Sequence, residues 1–197
     1  MALRTIRTWL WVTVVALALT AGAAAFLLRQ QQPVADSFGV AEFDLVDQNG
    51  NPVDETVFAG HPSALFFGFT HCPDVCPTTL AEMSAWFEAL GEEGDDLRAY
   101  FVSVDPERDT SAILGDYVSW VSDRITGITG NAEQVDVLAK AWGVFYEKVP
   151  IEGGDYTIDH TASVFLLDRQ GQFQGTIAYR EDMETALGKL RNLLAKS

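Results

Sequence analysis

The sequence predicts an α/β layered domain behind one membrane-spanning helix. Three observations carry this. Short apolar runs alternate with helical patterns from residue 63 to residue 145, a strand pair and a closing amphipathic helix come after them, and an uncharged apolar stretch precedes everything else. At 197 residues the chain has room for one anchor and one domain large enough to bury a core without staples.

In chain order, Trp9 to Leu28 holds no charged residue. Twenty residues make a helix of about 30 Å, the thickness of a bilayer core. Arg4 and Arg7 precede the run and only Arg29 follows closely, so residues 1–8 are expected in the cytoplasm and the body across the membrane. The rival is a cleaved signal peptide, for which Ala21-Gly22-Ala23 and Ala23-Ala24-Ala25 resemble cleavage sites. The apolar run is long for that and continues through Phe26-Leu27-Leu28, which favours the anchor over 9–28. Residues 29–36 read as a polar linker, and 37–197 as the domain.

Glu42 to Val46 alternates as a strand does, and Asn49-Gly50 turns the chain back through Val53 to Phe58 as an N-terminal hairpin. Ser63 to Phe69 is a buried strand that runs into Thr70-His71-Cys72-Pro73-Asp74-Val75-Cys76-Pro77. A helix is expected from Thr78 to Leu90. Pro77 suits its first position, and Thr79 with Glu82 offers a competing capping box. Leu97 to Val104 is a strand, Thr110 to Ser122 a helix, Ile125 to Thr129 a brief strand, and Ala132 to Phe145 a helix. Thr157 to Ile158 and Ser163 to Leu167 are extended, with His160 between them. Asp168 to Gly171 turns, Phe173 to Tyr179 pairs back, and Asp182 to Ala195 closes the domain as a helix.

Charge is unevenly placed. Of 13 Lys and Arg, three (Arg4, Arg7 and Arg29) precede residue 36, whereas all 28 Asp and Glu lie from Asp36 onward. A body this acidic repels nucleic acid and suits solubility. The two Cys, Cys72 and Cys76, are no disulfide scaffold; a close pair in a medium-sized domain is a redox couple or a metal pair. On one helical turn, the i and i+4 positions bring both sulfurs to one side, and a helix N-terminus favours a thiolate there. Structural zinc takes four ligands, and only three His are available besides the sulfurs; Cu(I) accepts two sulfurs and one imidazole. Of the three His, His61 lies in a turn and His71 points away from its neighbour Cys72. His160 stands at the entrance to an apolar strand, where a His is more often structural than a ligand; Asp159 beside it is either an orienting partner for the ring or a solvated loop charge.

Gly68-Phe69-Thr70-His71-Cys72-Pro73-Asp74-Val75-Cys76-Pro77, then Val104-Asp105-Pro106-Glu107-Arg108-Asp109-Thr110, then Asp159-His160, resemble the Sco/SenC family over about residues 38 to 195. The resemblance implies a thioredoxin-like fold with an extra N-terminal β-hairpin, and a membrane-anchored copper chaperone that helps build the dinuclear copper centre of cytochrome c oxidase. It implies Cys72, Cys76 and His160 as ligands of Cu(I), and of Cu(II) as a second possibility, with Asp159 and Asp74 as supporting neighbours. The partners implied are the oxidase's copper-site subunit and an upstream copper donor. The place implied is the inner membrane, single-pass, with the domain on the periplasmic or other extracytoplasmic side. Ser111 stands where the family often has Pro, a departure at a helix start rather than at the metal.

On this reading the protein delivers copper by ligand exchange and is not an enzyme in the usual sense. The alternative is a thiol–disulfide oxidoreductase that uses Cys72 and Cys76 to reduce the cysteines of the oxidase copper site. Against it, thioredoxin-like oxidoreductases generally carry Cys-x-x-Cys and a Pro in the facing loop. Here the spacing is one residue longer, and His160-Thr161-Ala162-Ser163 has no Pro. A peroxidase of related fold has no support beyond the fold.

Overall fold

The structure, a computed structural model, describes residues 41–196 together with Trp9, Trp11, Thr20, Phe38 and Gly39. The expected anchor over 9–28 and the linker over 29–36 lie outside the described residues, apart from Trp9, Trp11 and Thr20. Among the described residues no helix is long and apolar enough to cross a membrane. The chain divides into two units, residues 1–37 and 38–197, and the second is the α/β domain.

The centre of this domain is a seven-stranded sheet in the order β2-β1-β5-β4-β3-β8-β9. β3 (Ser63–Gly68), β4 (Arg98–Ser103) and β5 (Ile125–Thr129) run parallel, joined by α1 (Val75–Leu90) and α2 (Ser111–Val121). β1 (Leu45–Asp47) lies antiparallel to β5 and pairs with β2 (Pro52–Val53). β8 (Val164–Leu167) lies antiparallel to β3 and pairs with β9 (Phe173–Ile177). α3 (Ala132–Ala141) follows β5, and α4 (Met183–Lys196) ends the domain. β3 is buried at every position, as its unbroken apolar run requires of a strand covered on both faces. Rings of Phe38, Phe58, Trp142, Phe165 and Phe173 meet edge-on or tilted in one aromatic cluster.

Four local expectations differ from what forms. The return arm of the first hairpin stops at Val53. Asp54 then caps a 3-10 turn over Glu55–Phe58 by accepting from the Thr56 amide, and this turn buries Phe58 against Phe43 and Tyr100. α1 starts at Val75 rather than Thr78, so Cys76 is inside its first turn. The Thr79 hydroxyl donates back to the Val75 carbonyl instead of capping. The helix expected to reach Phe145 ends at Ala141, because Gly143 takes φ +60° and closes a Schellman cap, with Gly143 N–H to the Lys140 carbonyl and Val144 N–H to the Ala139 carbonyl. Directly after Phe145, β6 (Tyr146–Pro150), where the sequence predicts no strand, pairs with β7 (Tyr156–His160) as a separate hairpin in which Tyr146 faces His160. Gly153 and Gly154, both at positive φ, make its turn.

Candidate metal centre

The site forms where β3 ends and α1 begins. Gly68 is required there: a Cβ on it would lie 2.6 Å from the Cys76 sulfur and 2.7 Å from the Phe101 ring, so only glycine lets the helix's first turn approach the strand. Between strand and helix, the turn is pinned by Asp109, which is fully buried. Its carboxylate accepts from the Thr70 amide at 2.9 Å, the Thr70 hydroxyl at 2.6 Å and the Ser103 hydroxyl at 2.6 Å. Three donors on one carboxylate hold residue 70 and thereby fix where Cys72 leaves the turn.

Cys72 is half-buried and Cys76 buried, and both are free thiols. The Cys76 amide, an unpaired N–H of the first helical turn, points at the Cys72 sulfur at 3.4 Å. The hydrogen bond from the Cys76 thiol does most to lower the Cys72 pKa, to about 4, against the opposing effect of burial. His160 and the amides of Cys76 and Asp74 lower it further. Cys76 moves the other way: burial first, then the neighbouring Cys72 sulfur, push its thiol far up. The metal-free pair is therefore one thiolate and one protonated thiol.

His160 arrives from the opposite side, at the end of β7. Its Nδ1 lies 3.0 Å from the Thr161 carbonyl, which can only accept, so Nδ1 donates there and Nε2 is the nitrogen turned to the sulfurs. Nε2 is 3.4 Å from the Cys76 sulfur. The ring stands edge-on to Phe66 and Phe69, with centroids 5.9 and 5.8 Å away. The two sulfurs and an imidazole nitrogen all lie within 4.8 Å of one another. A cation placed among them would replace the thiol proton and satisfy three soft donors at once, which is the donor chemistry of Cu(I) rather than of Mg or Ca.

The other predicted neighbours sit around this cluster without joining it. Asp74 and Asp159 line the cleft of about 290 Å³ that opens beside Cys72 and His160. The partner that orients the imidazole is the Thr161 carbonyl, not Asp159, which is exposed and paired in register with Glu147. Asp74 precedes α1, receives the Thr78 hydroxyl at 3.4 Å and lies 3.7 Å from Arg180. His71 is half exposed, its Nδ1 3.0 Å from the Thr70 hydroxyl, and it stays out of the cluster. His61 pairs with Asp96 at 2.6 Å, also away from it. Ser111 opens α2 behind a Thr110 cap that accepts the Ile113 amide, so the absent Pro costs the helix nothing visible. Asp109 and Ser103 are not legible in the sequence as site residues, since Asp109 bonds to a segment 39 positions away in the chain.

The model of the family described as SCO1/SenC matches residues 31–195. A SCO2-like protein of Rickettsia prowazekii is 34% identical over 157 residues, 75% of this chain and 77% of the relative. The structure of Bradyrhizobium japonicum ScoI with copper bound matches at 40% identity and a TM-score of 0.72, covering 78% of this chain and 98% of that one. Yeast Sco1 with copper bound matches at 32% identity and a TM-score of 0.75, covering 82% and 90%. With the fold, the three-part motif and the match over most of its length in agreement, the chain belongs to the SCO1/SenC family.

Proposed function

We propose that this protein binds copper on Cys72, Cys76 and His160 and delivers it, by ligand exchange, to the copper-site subunit of a cytochrome c oxidase. The observation that carries this reading is the convergence of two sulfurs and an imidazole nitrogen within 4.8 Å, brought by the first turn of α1 and the end of β7. The solved relatives described as copper-bound share the fold over most of this chain, which supports copper as the cargo. Cys72 faces a cleft, so an incoming soft ligand can reach the metal while Cys76 stays covered. An upstream copper donor would load the site by the same exchange. The uncharged run before the domain supports a single-pass inner-membrane anchor with the domain on the extracytoplasmic side.

One observation favours a second reading. A half-buried Cys72 thiolate beside a buried Cys76 thiol is the arrangement of an attacking and a resolving sulfur. The Cys72 thiolate would attack a partner disulfide and release one partner sulfur; Cys76 would then close on Cys72, releasing the second. The partner gains two electrons and this pair is oxidised to a disulfide. The two roles share the sulfurs, and oxidation ejects the metal because ligation needs thiolates. The test is Cu(I) uptake by reduced and by disulfide-bonded protein, with metal content measured after desalting. The copper reading expects stoichiometric uptake by the reduced form and none by the oxidised one; equal uptake by both would remove the sulfurs as ligands.

A further inference from the structure

The β6–β7 hairpin carries His160 at its end, yet it hydrogen-bonds to no strand of the main sheet. A two-stranded hairpin alone is marginal in water, so something else must hold it. Ile158 is buried, and the Tyr146 hydroxyl donates to Asp136 of α3 at 3.2 Å. Apart from the contacts of His160 itself, the hairpin's other side-chain hydrogen bonds and ion pairs to the body run to the loop after β4, and most of them to one residue. Arg108 donates through Nη1 to the Tyr156 carbonyl at 2.9 Å and to the Asp155 carboxylate at 3.1 Å, and through Nε to the fully buried Asp105. Its guanidinium lies 3.8 Å from the centroid of the Tyr156 ring, and the Tyr156 hydroxyl donates to Asp105 at 2.7 Å. Lys148 adds a bond to Glu107, both partly in solvent. The guanidinium also lies 5.9 Å from the Phe69 ring, whose own neighbour is the His160 imidazole.

We propose that Arg108 is a positioning residue of the metal site: anchored on Asp105, it clamps the β6–β7 hairpin to the body and so sets His160 against Cys76. A planar fork suits this task. It serves acceptors on the loop and on β7 together while its face covers a ring, which the point charge of a lysine cannot do. The inference deepens the copper reading and rests on it only for what His160 Nε2 receives.

The experiment uses the reduced, metal-free protein and compares Arg108→Met, which keeps the aliphatic stem, with Arg108→Lys. Amide hydrogen exchange is read over 146–160 and over β3 to β5, and NMR follows the contacts of His160 ring protons with the Phe66 and Phe69 rings. With Arg108→Met we expect exchange across the hairpin to rise at least about tenfold, the scale of one lost charge-assisted hydrogen bond. The main sheet should stay protected, the ring contacts should weaken, and Arg108→Lys should recover part of the loss. Cu(II) added to Arg108→Met should then give an electron paramagnetic resonance signal moved toward that of His160→Ala. Because Arg108→Met leaves Asp105 buried without its cation, the pair Arg108→Met with Asp105→Asn is measured too and read by the same rule. Hairpin exchange and ring contacts at parental values would overturn the proposal, and so would protection lost evenly from hairpin and main sheet. A His160→Ala variant with an unchanged Cu(II) signal would sink the ligand assignment instead, leaving exchange and ring contacts to decide the clamp.

Discussion

A thiol at the first turn of a helix does not titrate as a thiol in water does, and Cys72 shows the reasons. The Cys76 thiol donates to its sulfur, the His160 ring and two main-chain amides add to this, and only burial opposes them. The thiolate is therefore favoured down to a pH of about 4, where an ordinary Cys would be protonated. Linkage fixes the sign. A folded pKa below the unfolded one means that the thiolate's contribution to stability is complete above the unfolded value of 9.0, shrinks as pH falls, and is gone below about 4. Reactivity reports the same shift. In reduced, metal-free protein, the rate at which iodoacetamide alkylates Cys72 should be nearly flat from about pH 8 to about pH 5, falling only below that. Cys76, buried and protonated, should be spared. A rate that climbed tenfold per pH unit through neutrality, as for a free thiol, would contradict the shared-proton arrangement of the pair.

Among the elements, the parallel centre is legible in the sequence because its signals are local. Ser63 to Phe69 is a continuous apolar run, and each helix that follows a strand has its apolar positions in phase. Legibility fails where a terminus is decided by an interaction that periodicity does not register. Val135, Leu138, Ala139 and Trp142 stay in helical phase up to the point where Gly143 turns left-handed, so the pattern carries the expected helix past Ala141 to Phe145. The Tyr146-Glu147-Lys148-Val149-Pro150 stretch and the Gly153-Gly154 turn are present in the sequence, but they predict no strand, because the stretch is mostly polar and lacks the apolar alternation of a half-buried strand. This matters for the site, because β6 is the partner that gives His160 its register. The ligand candidates themselves are legible only as types. Spacing puts Cys72 and Cys76 on one turn, but nothing within the sequence brings a histidine 84 positions away to 3.4 Å from Cys76; the family resemblance supplies it and the hairpin geometry accounts for it. Adjacency alone makes Asp159 the expected support of the imidazole. Alternation along a strand turns adjacent side chains to opposite faces, and a main-chain carbonyl takes the role.

For the whole molecule, the separation of charge is the feature that sequence alone exposes best. The three basic residues before Asp36 flank an uncharged run, and every carboxylate side chain lies beyond it. An anchor over 9–28 would tether the acidic domain at the membrane, where the proposed recipient, an oxidase subunit, would also be held. Sequencing the mature N-terminus of the native, membrane-extracted protein should find the start intact; a start near Ala24 or Phe26 would exchange the anchor for a cleaved signal. The domain's central claim is narrower: three donors, and these three, hold the copper. Its most direct measurement is copper affinity by chelator competition for the parent, His160→Ala, His71→Ala and His61→Ala, each with Cu(I) and with Cu(II). Two thiolates can still hold Cu(I) in near-linear geometry, whereas Cu(II) wants further nitrogen or oxygen donors in a tetragonal set. The account predicts that His160→Ala weakens Cu(I) by about one to two orders of magnitude and all but abolishes Cu(II) binding, a loss comparable to removing a ligand's support or more. His71→Ala and His61→Ala should stay near the parent. A His160→Ala variant that matched the parent while His71→Ala lost copper would contradict it.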